Sequence, residues 1–258
     1  MVGALRVVLL PGAVLPADLA YGALVSEFGA GVKAITKDLE VYREDLPPPD
    51  YSLDTEVDGV LAEADGRGWD RFHLVGYSGG GAAALAVAAH HPARLLSLAL
   101  LEPAWAGSWG WSPEHRKLWA SFDKLEHLPP DQFMAAFMQL QVRPDVGLPP
   151  PPPPSGPTPP WMSQRPAGIR AFMRTFKSYD LDRAALAAFE APVYFALGGR
   201  SNPDQFAEEA DRLGRVFADF TVEVFPDRHH FDPPHRVEPA RLATSLRALW
   251  RRGDSMAS

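Results

Sequence analysis

Residues 76–81 read Gly-Tyr-Ser-Gly-Gly-Gly, and they directly follow the apolar run Phe-His-Leu-Val at 72–75. The apolar run has the length of a short buried strand, and the alanine-rich stretch at 80–90 is typical of a helix. A serine enclosed by glycines between a strand and a helix is typical of two kinds of site. One exposes a serine nucleophile on a tight turn, and the other lets a phosphate group approach the backbone.

The composition is typical of a globular protein, with 46% hydrophobic and 22% charged residues in a chain of 258. Because the chain contains no cysteine, disulfides and sites that depend on a thiolate are excluded. The net charge of −7 provides no general attraction for nucleic acid or anionic lipid. No apolar run approaches the roughly 18 residues of a membrane span, and the apolar residues near the N-terminus are too few for a signal peptide. We therefore expect a cytoplasmic protein that binds neither nucleic acid nor a membrane.

Strand and helix patterns alternate in two blocks of the chain, 1–103 and 181–252. The predicted strands lie at 5–10, 33–42, 72–76, 95–101, 192–197 and 221–225. The predicted helices lie at 18–28, 53–64, 80–90, 204–217 and 239–250. This alternation predicts an α/β fold with a mostly parallel central sheet that helices cover on both faces. The last residues, 253–258, are expected to form a disordered tail.

Residues 104–180 differ in composition from both blocks and are predicted to form a cap over the C-terminal edge of the sheet. They contain five of the seven tryptophans and a proline-rich loop at 148–160, in which residues 149–154 are six consecutive prolines. Because proline cannot continue a helix or a central strand, we expect this run to be an extended surface segment. A binding site for a domain that recognises proline-rich segments is the alternative interpretation. Amphipathic patterns on both sides of the loop predict cap helices.

The segment Gly76-Tyr77-Ser78-Gly79-Gly80 matches the pattern G-x-S-x-G in the strand–turn–helix setting that this motif requires. Gly76 and Gly80 remove bulk where the strand and the helix nearly touch. On this motif, the order of strands and helices, the insertion and a late histidine, the chain resembles the α/β-hydrolase family over nearly its full length. The resemblance implies the α/β-hydrolase fold, here without the family's first two strands. It also implies a triad of serine, histidine and acid that needs no cofactor and no metal.

The resemblance places the base that activates Ser78 just after the last strand, where residues 227–232 read Asp-Arg-His-His-Phe-Asp. A serine hydroxyl needs such a base, and an imidazole needs a group that orients it. In the family an apolar residue follows the catalytic histidine. This favours His230, which precedes Phe231, over its neighbour His229.

The acid of the triad has more than one candidate. Many family members carry it after the strand predicted here at 192–197, but this chain has Asn202 where the aspartate is expected. Other members carry it one strand earlier, directly after the nucleophile helix and the next strand, and Glu102 occupies that position. We favour Glu102, with Asn202 and Asp204 as the alternatives.

The resemblance also implies an oxyanion hole made of backbone N–H groups. One belongs to the residue after the nucleophile, Gly79. The other belongs to the loop after the first strand, where Ala13 is favoured and Val14 is the second candidate.

Three other interpretations compete with a serine hydrolase. The segment 79–84 fits the phosphate-binding pattern G-x-G-x-x-A and Glu102 follows it at about the spacing of a ribose-binding acid, which would indicate a dinucleotide-binding oxidoreductase. However, the loop comes after two earlier strand–helix units, and Ser78 would then have no role. The missing aspartate at Asn202 would also suit a non-catalytic binding protein. A metal site of His229, Asp232 and His235 is disfavoured by the stiff pair of prolines at 233–234.

The sequence therefore predicts a serine esterase or lactonase in which Ser78 attacks the carbonyl carbon of a small-molecule ester, lactone or related acyl compound. The richness of the cap in tryptophan and methionine predicts a substrate that is partly apolar. We expect no cofactor and no metal.

Overall fold

The computed structural model describes residues 4–149 and 159–256. All of the predicted polyproline run except Pro149 lies outside the described residues. None of the helices in these two ranges is long and apolar enough to cross a membrane.

Six parallel strands form a single sheet. They are β1 (Leu5–Leu10), β2 (Val32–Thr36), β3 (Phe72–Ser78), β4 (Leu95–Pro103), β5 (Val193–Gly198) and β6 (Phe220–Phe225). Their order in the sheet is β2-β1-β3-β4-β5-β6, and each of the five neighbouring pairs is parallel. The predicted α/β fold with a parallel central sheet is confirmed.

Ten α-helices lie in the described part of the chain. They are α1 (Ala17–Ser26), α2 (Leu53–Asp65), α3 (Gly79–His90), α4 (Pro113–Asp123), α5 (Pro130–Leu140), α6 (Pro160–Ser178), α7 (Arg183–Ala187), α8 (Phe206–Gly214), α9 (Pro234–Val237) and α10 (Pro239–Met256). Helices α4, α5 and α6 belong to the segment 104–180, which separates β4 from β5.

The sheet is buried on both faces because helices cover each of them. Alternate residues of β1 belong to different cores, with Val8 and Leu10 in one and Val7 and Leu9 in the other. The first core contains α2, α3 and the apolar side chains of segment 104–180. The second contains the apolar faces of α1 and α10. This double burial explains why the central strands read as continuous apolar runs.

Strand β2 ends at Thr36, whereas the sequence pattern predicts a strand as far as residue 42. Residues Glu40–Tyr42 form a short 3-10 helix. The backbone N–H groups of Glu40 and Val41 donate to the buried carboxylate of Glu56 on α2, at 2.8 and 3.0 Å. The Glu56 side chain on α2 thus pairs two backbone N–H groups that, in a longer strand, would pair with a neighbouring strand. The local sequence of residues 37–42 does not encode this contact.

The prediction of a disordered tail from residue 253 is wrong as far as residue 256, because α10 continues to Met256. Gly253 is buried against β4, and a Cβ atom at this position would overlap the carbonyl oxygen of Leu96. Helix α10 therefore continues past residue 252 because Gly253 allows its backbone to pack directly on β4.

This contact predicts opposite effects of alanine at two helical glycines. Gly253→Ala should lower the free energy of unfolding by about 1–3 kcal/mol, since the methyl group has no space beside Leu96. Gly22→Ala on α1 is the matched control, because nothing lies within 4 Å of its Cβ position. It should raise the free energy of unfolding by about 0.5–1 kcal/mol through helix propensity. Urea unfolding followed by circular dichroism measures both, and stabilisation by Gly253→Ala would contradict the packing described here.

Candidate active site

Ser78 lies at the junction of β3 and α3, on a turn that requires glycine around it. Its φ is 53°, in the left-handed region that non-glycine residues rarely adopt. A Cβ atom at Gly76 would overlap the carbonyl oxygen of Gly80, and one at Gly80 would lie 2.5 Å from the carbonyl oxygen of Pro11. The two glycines therefore allow the close approach of strand and helix that holds the serine in this conformation.

Three buried side chains form a chain of hydrogen bonds at this turn. His230 Nε2 lies 3.0 Å from Ser78 Oγ, and His230 Nδ1 lies 3.0 Å from Glu102 Oε2. The exposed fractions are 7% for Ser78, 5% for Glu102 and 1% for His230. The backbone N–H of Gly198, at the end of β5, donates to Glu102 Oε1 at 2.7 Å. Both carboxylate oxygens of Glu102 are thus bound, and the carboxylate faces the imidazole.

The imidazole of His230 is held in place by neighbouring rings. The Phe206 ring at the start of α8 stacks on it, with the centroids 4.4 Å apart and an angle of 14° between the planes. The Tyr77 ring packs against it at 5.0 Å, and the Tyr77 hydroxyl donates to the carbonyl oxygen of His230. Neither Tyr77 nor Phe206 is among the sequence-predicted site residues. Tyr77 is the variable position before the serine in G-x-S-x-G, and no local pattern marks Phe206.

The structure does not bring the other candidates for acid and base to this chain of hydrogen bonds. The Asn202 side chain donates to the carbonyl oxygen of Leu140 at 2.7 Å and accepts from the N–H of Asp204 at 3.0 Å, so it stabilises the turn before α8. The side chain of Asp204 is exposed. His229 Nδ1 accepts from the N–H of Phe231 at 3.2 Å.

The loop after β1 lies beside Ser78, and the Tyr42 hydroxyl holds it by donating to the carbonyl oxygen of Ala13 at 2.8 Å. Ala13 and Gly79 line the same cavity as Ser78, whereas Val14 lines a different one. A Cβ atom at Gly79 would lie 3.7 Å from the Cβ of Ala13. The backbone at Ala13 and the backbone at Gly79 are therefore close neighbours beside Ser78.

Ser78 opens into a narrow cavity, and most of the cavity wall comes from segment 104–180. The apolar lining side chains are Trp119 and Phe122 on α4, Phe137 on α5, and Ile169, Phe172, Met173 and Phe176 on α6. The polar side chains among the lining residues are those of Ser78, Gln141 and Gln205, and none of the lining residues is charged. Gln141 and Gln205 are not among the sequence-predicted site residues, because neither belongs to a motif.

The glycines after Ser78 are packed against the protein itself. The N–H of Gly80 donates to the carbonyl oxygen of Pro11 at 3.0 Å, and a Cβ atom at Gly81 would lie 2.7 Å from the Cα of Pro103. The N–H of Gly80 is therefore not free to bind a phosphate oxygen in the way that the dinucleotide-binding interpretation would require.

The three candidate metal ligands, His229, Asp232 and His235, contact other residues of the protein. Asp232 binds Arg228 at 2.7 Å, and the His235 ring packs between Tyr21 and Tyr77 with centroids 4.9 and 4.6 Å away. In residues 4–149 and 159–256 there is no group of three or more histidine, aspartate or glutamate residues that could hold a metal ion.

Comparison with known proteins agrees with this fold. Residues 7–244 match the model of the alpha/beta hydrolase family, so the chain belongs to that family. The proposed carbamate hydrolase RutD of Caulobacter segnis is 33% identical over 96 residues, which are 37% of this chain and 33% of that protein. RutD of Caulobacter vibrioides is 32% identical over 94 residues, 36% of this chain and 32% of that protein. The matched region thus spans about a third of these curated relatives.

Solved structures share the fold at low sequence identity. A thermophilic esterase from Thermogutta terrifontis superimposes with a TM-score of 0.70 at 19% identity, over 97% of this chain and 91% of that chain. MenH from S. aureus gives a TM-score of 0.71 at 16% identity, over 98% and 96%. These similarities to solved structures are similarities of fold.

Beneath the site, His235 is fully buried, and neither ring nitrogen has a hydrogen-bond partner among the described residues. Burial lowers the pKa of His235 to about 3, with a smaller effect of the nearby Arg236 charge in the same direction. The imidazole is therefore neutral in the folded protein over the whole physiological pH range.

This burial predicts a loss of stability in mild acid. Between the ordinary histidine pKa of about 6.5 and the folded value of about 3, the unfolded chain binds a proton that folded His235 does not bind. Its contribution to stability is therefore complete above pH 6.5 and decreases as the pH falls. From pH 6.5 to pH 5, the free energy of unfolding should fall by about 2 kcal/mol more in the unmodified protein than in His235→Phe.

Urea unfolding at both pH values measures the difference, and His127→Phe is the control because the His127 ring is exposed. This control should follow the unmodified protein. If the free energy of unfolding of His235→Phe changed with pH in the same way as in the unmodified protein, His235 would not contribute to the loss of stability in acid.

Proposed function

We propose that the protein is a serine hydrolase that cleaves a small-molecule ester, lactone or related acyl compound through an acyl-enzyme on Ser78. The observation that carries this proposal is the buried chain of hydrogen bonds from Ser78 Oγ through His230 to Glu102. A serine, an imidazole and a carboxylate in this order form a nucleophile, its general base and the group that orients the base.

In the first step, Ser78 Oγ attacks the carbonyl carbon of the substrate while His230 Nε2 accepts the hydroxyl proton. Glu102 stabilises the resulting imidazolium through Nδ1, which donates to it at 3.0 Å. The carbonyl oxygen becomes an oxyanion, and the N–H groups of Ala13 and Gly79 are proposed to bind it. The imidazolium then protonates the leaving oxygen or nitrogen as the carbonyl carbon–heteroatom bond breaks.

In the second step, a water molecule replaces the leaving group and attacks the acyl-enzyme, with His230 again accepting a proton. The ester bond to Ser78 Oγ breaks, Oγ takes the proton back, and the carboxylic acid leaves. Helix α3 begins at Gly79, directly after Ser78. The partial positive charge at the N-terminus of α3 would therefore stabilise the negative charge that develops on the carbonyl oxygen.

The cavity supports a neutral and partly apolar acyl group. Its wall is mainly aromatic and aliphatic, as in sites that bind small apolar groups. Because no lining residue is charged, an ionised acyl chain would have no counter-charge there. We propose that segment 104–180 acts as a cap that excludes water from the acyl group, above a core formed by 1–103 and 181–252.

Labelling by a fluorophosphonate tests the nucleophile. The reagent should attach to Ser78, and Ser78→Ala should abolish labelling and lower kcat for p-nitrophenyl acyl esters by about 10³- to 10⁶-fold. Peptide mapping by mass spectrometry identifies the modified residue. Ser163→Ala is the control, since Ser163 is exposed on α6 and should leave both readouts unchanged. Unchanged turnover in Ser78→Ala would rule out Ser78 as the nucleophile, and a lack of both labelling and turnover in the unmodified protein would favour the non-catalytic binding protein.

Substitution of Glu102 and of Asn202 tests which of the two residues orients His230. Glu102→Gln keeps the shape of the side chain but removes the charge that stabilises the imidazolium, so kcat should fall by about 10²- to 10⁴-fold. Asn202→Ala should change kcat less than tenfold, because Asn202 binds Leu140 and Asp204 and not His230. Steady-state kinetics on one ester, with folding checked by circular dichroism, gives the ranking. The reverse ranking would contradict the assignment of Glu102.

A further inference from the structure

Gln205 is a buried amide on the wall of the Ser78 cavity, with 1% of its surface exposed. It immediately precedes Phe206, the ring that stacks on His230. Its Nε2 donates to the carbonyl oxygen of Ala104 at 3.0 Å. The N–H of Ala104 in turn donates to the carbonyl oxygen of Ser78 at 2.8 Å. Gln205 is thus attached to the backbone that follows Glu102, one step from the nucleophile.

These contacts determine which end of the amide is free. A carbonyl oxygen accepts and does not donate, so the end of Gln205 that faces Ala104 must be the NH₂ group. Oε1 is therefore the other end, and it has no hydrogen-bond partner among the described residues. Glu209 lies one turn further along α8. Both of its carboxyl oxygens likewise lack a partner in the described part of the chain, and burial raises the pKa of this carboxyl.

An amide oxygen buried without a donor is unfavourable, so its presence needs a physical explanation, and a ligand that donates to it is one. The surrounding wall offers no alternative, because it is mainly aromatic and aliphatic. A ligand that brings an N–H or O–H group to Gln205 Oε1 would restore the missing hydrogen bond. An ether, a thioether or an N-methylated amide of the same shape would leave the oxygen unpaired.

We propose that Gln205 is a specificity-determining residue, and that the natural acyl group carries a neutral N–H or O–H donor that binds Gln205 Oε1. This inference rests on the proposed acyl-enzyme at Ser78 and names the substrate class within it. The donor belongs to the acyl part because that part remains attached to Ser78 inside the cavity during both steps, whereas the leaving group must depart. The absence of charge among the lining residues favours a neutral donor.

Matched ester pairs test the donor. The p-nitrophenyl esters of N-acetylglycine, N-acetyl-β-alanine and 4-acetamidobutanoic acid place an N–H at three distances from the carbonyl, and each is compared with its N-methyl counterpart. A hydroxybutanoate and methoxybutanoate pair tests an O–H donor. At one spacing or more, the unmodified protein should prefer the donor by about 10- to 100-fold in kcat/KM. The pair with the larger preference distinguishes an N–H from an O–H substrate.

Gln205→Met keeps the length of the side chain and removes Oε1, so this preference should fall to about one. Gln141→Met is the matched control. Gln141 lines the same cavity, and its Nε2 donates to the carbonyl oxygen of Phe137 at 3.1 Å, so the preference should persist in this variant. The ratio within a pair separates recognition of the donor from any general loss of activity.

Two outcomes would overturn the inference. One is a preference within twofold for every pair in the unmodified protein. The other is a Gln205→Met variant that loses activity on both members of a pair equally, which would mean that Gln205 only supports Ala104. A binding assay with the corresponding methyl ketones gives the same ratio without turnover. The readout is the tryptophan fluorescence of the protein, to which Trp119 in the cavity wall contributes. Failure of the Ser78 chemistry and failure of donor recognition are therefore distinguishable.

Discussion

The close approach of backbone to backbone at the β3–α3 turn is the constraint on which the candidate site depends. Gly76 lies against the carbonyl of Gly80, and Gly80 lies against the end of β1 at Pro11. A side chain at either glycine would separate the helix from the sheet. With both side chains absent, Ser78 is held at a φ of 53°. Burial of the strands and of α3 from Gly79 to Ala89 stabilises this unfavourable backbone conformation.

The parallel sheet brings the other partners to this turn. All strands run in the same direction, so their carboxyl ends lie at one edge, where ligands bind in open α/β sheets. Ser78 ends β3, Glu102 lies near the end of β4, and Gly198 ends β5 and donates to Glu102. His230 follows β6 and is held by the Phe206 ring. Groups far apart in sequence thus meet because each of them lies where its strand ends.

Segment 104–180 provides a second and different environment at the same edge. Its helices contribute an aromatic and aliphatic wall without charge, whereas the sheet edge contributes backbone donors and the chain of hydrogen bonds. The Tyr42 hydroxyl links the two environments: it binds the loop at Ala13, and the guanidinium of Arg165 on α6 lies 3.9 Å above its ring. Gln205 lies at the boundary between the two environments, since it lines the cavity and binds the backbone of Ala104.

The sequence by itself determined the α/β class, the six strands and the turn that carries Ser78, because strand and helix patterns and the G-x-S-x-G spacing are local. His230 lies 152 residues from Ser78 in the sequence, so no local pattern determines its surroundings. Only the tertiary structure decided which carboxyl group lies beside His230. Glu102 lies 3.0 Å from His230, while Asn202 stabilises a turn elsewhere. Phe206, Tyr42 and Gln205 belong to no motif, since what they contact depends on how separate elements pack. The early end of β2 and the extension of α10 have the same physical reason: a buried carboxylate and a close helix–strand contact outweighed the local pattern.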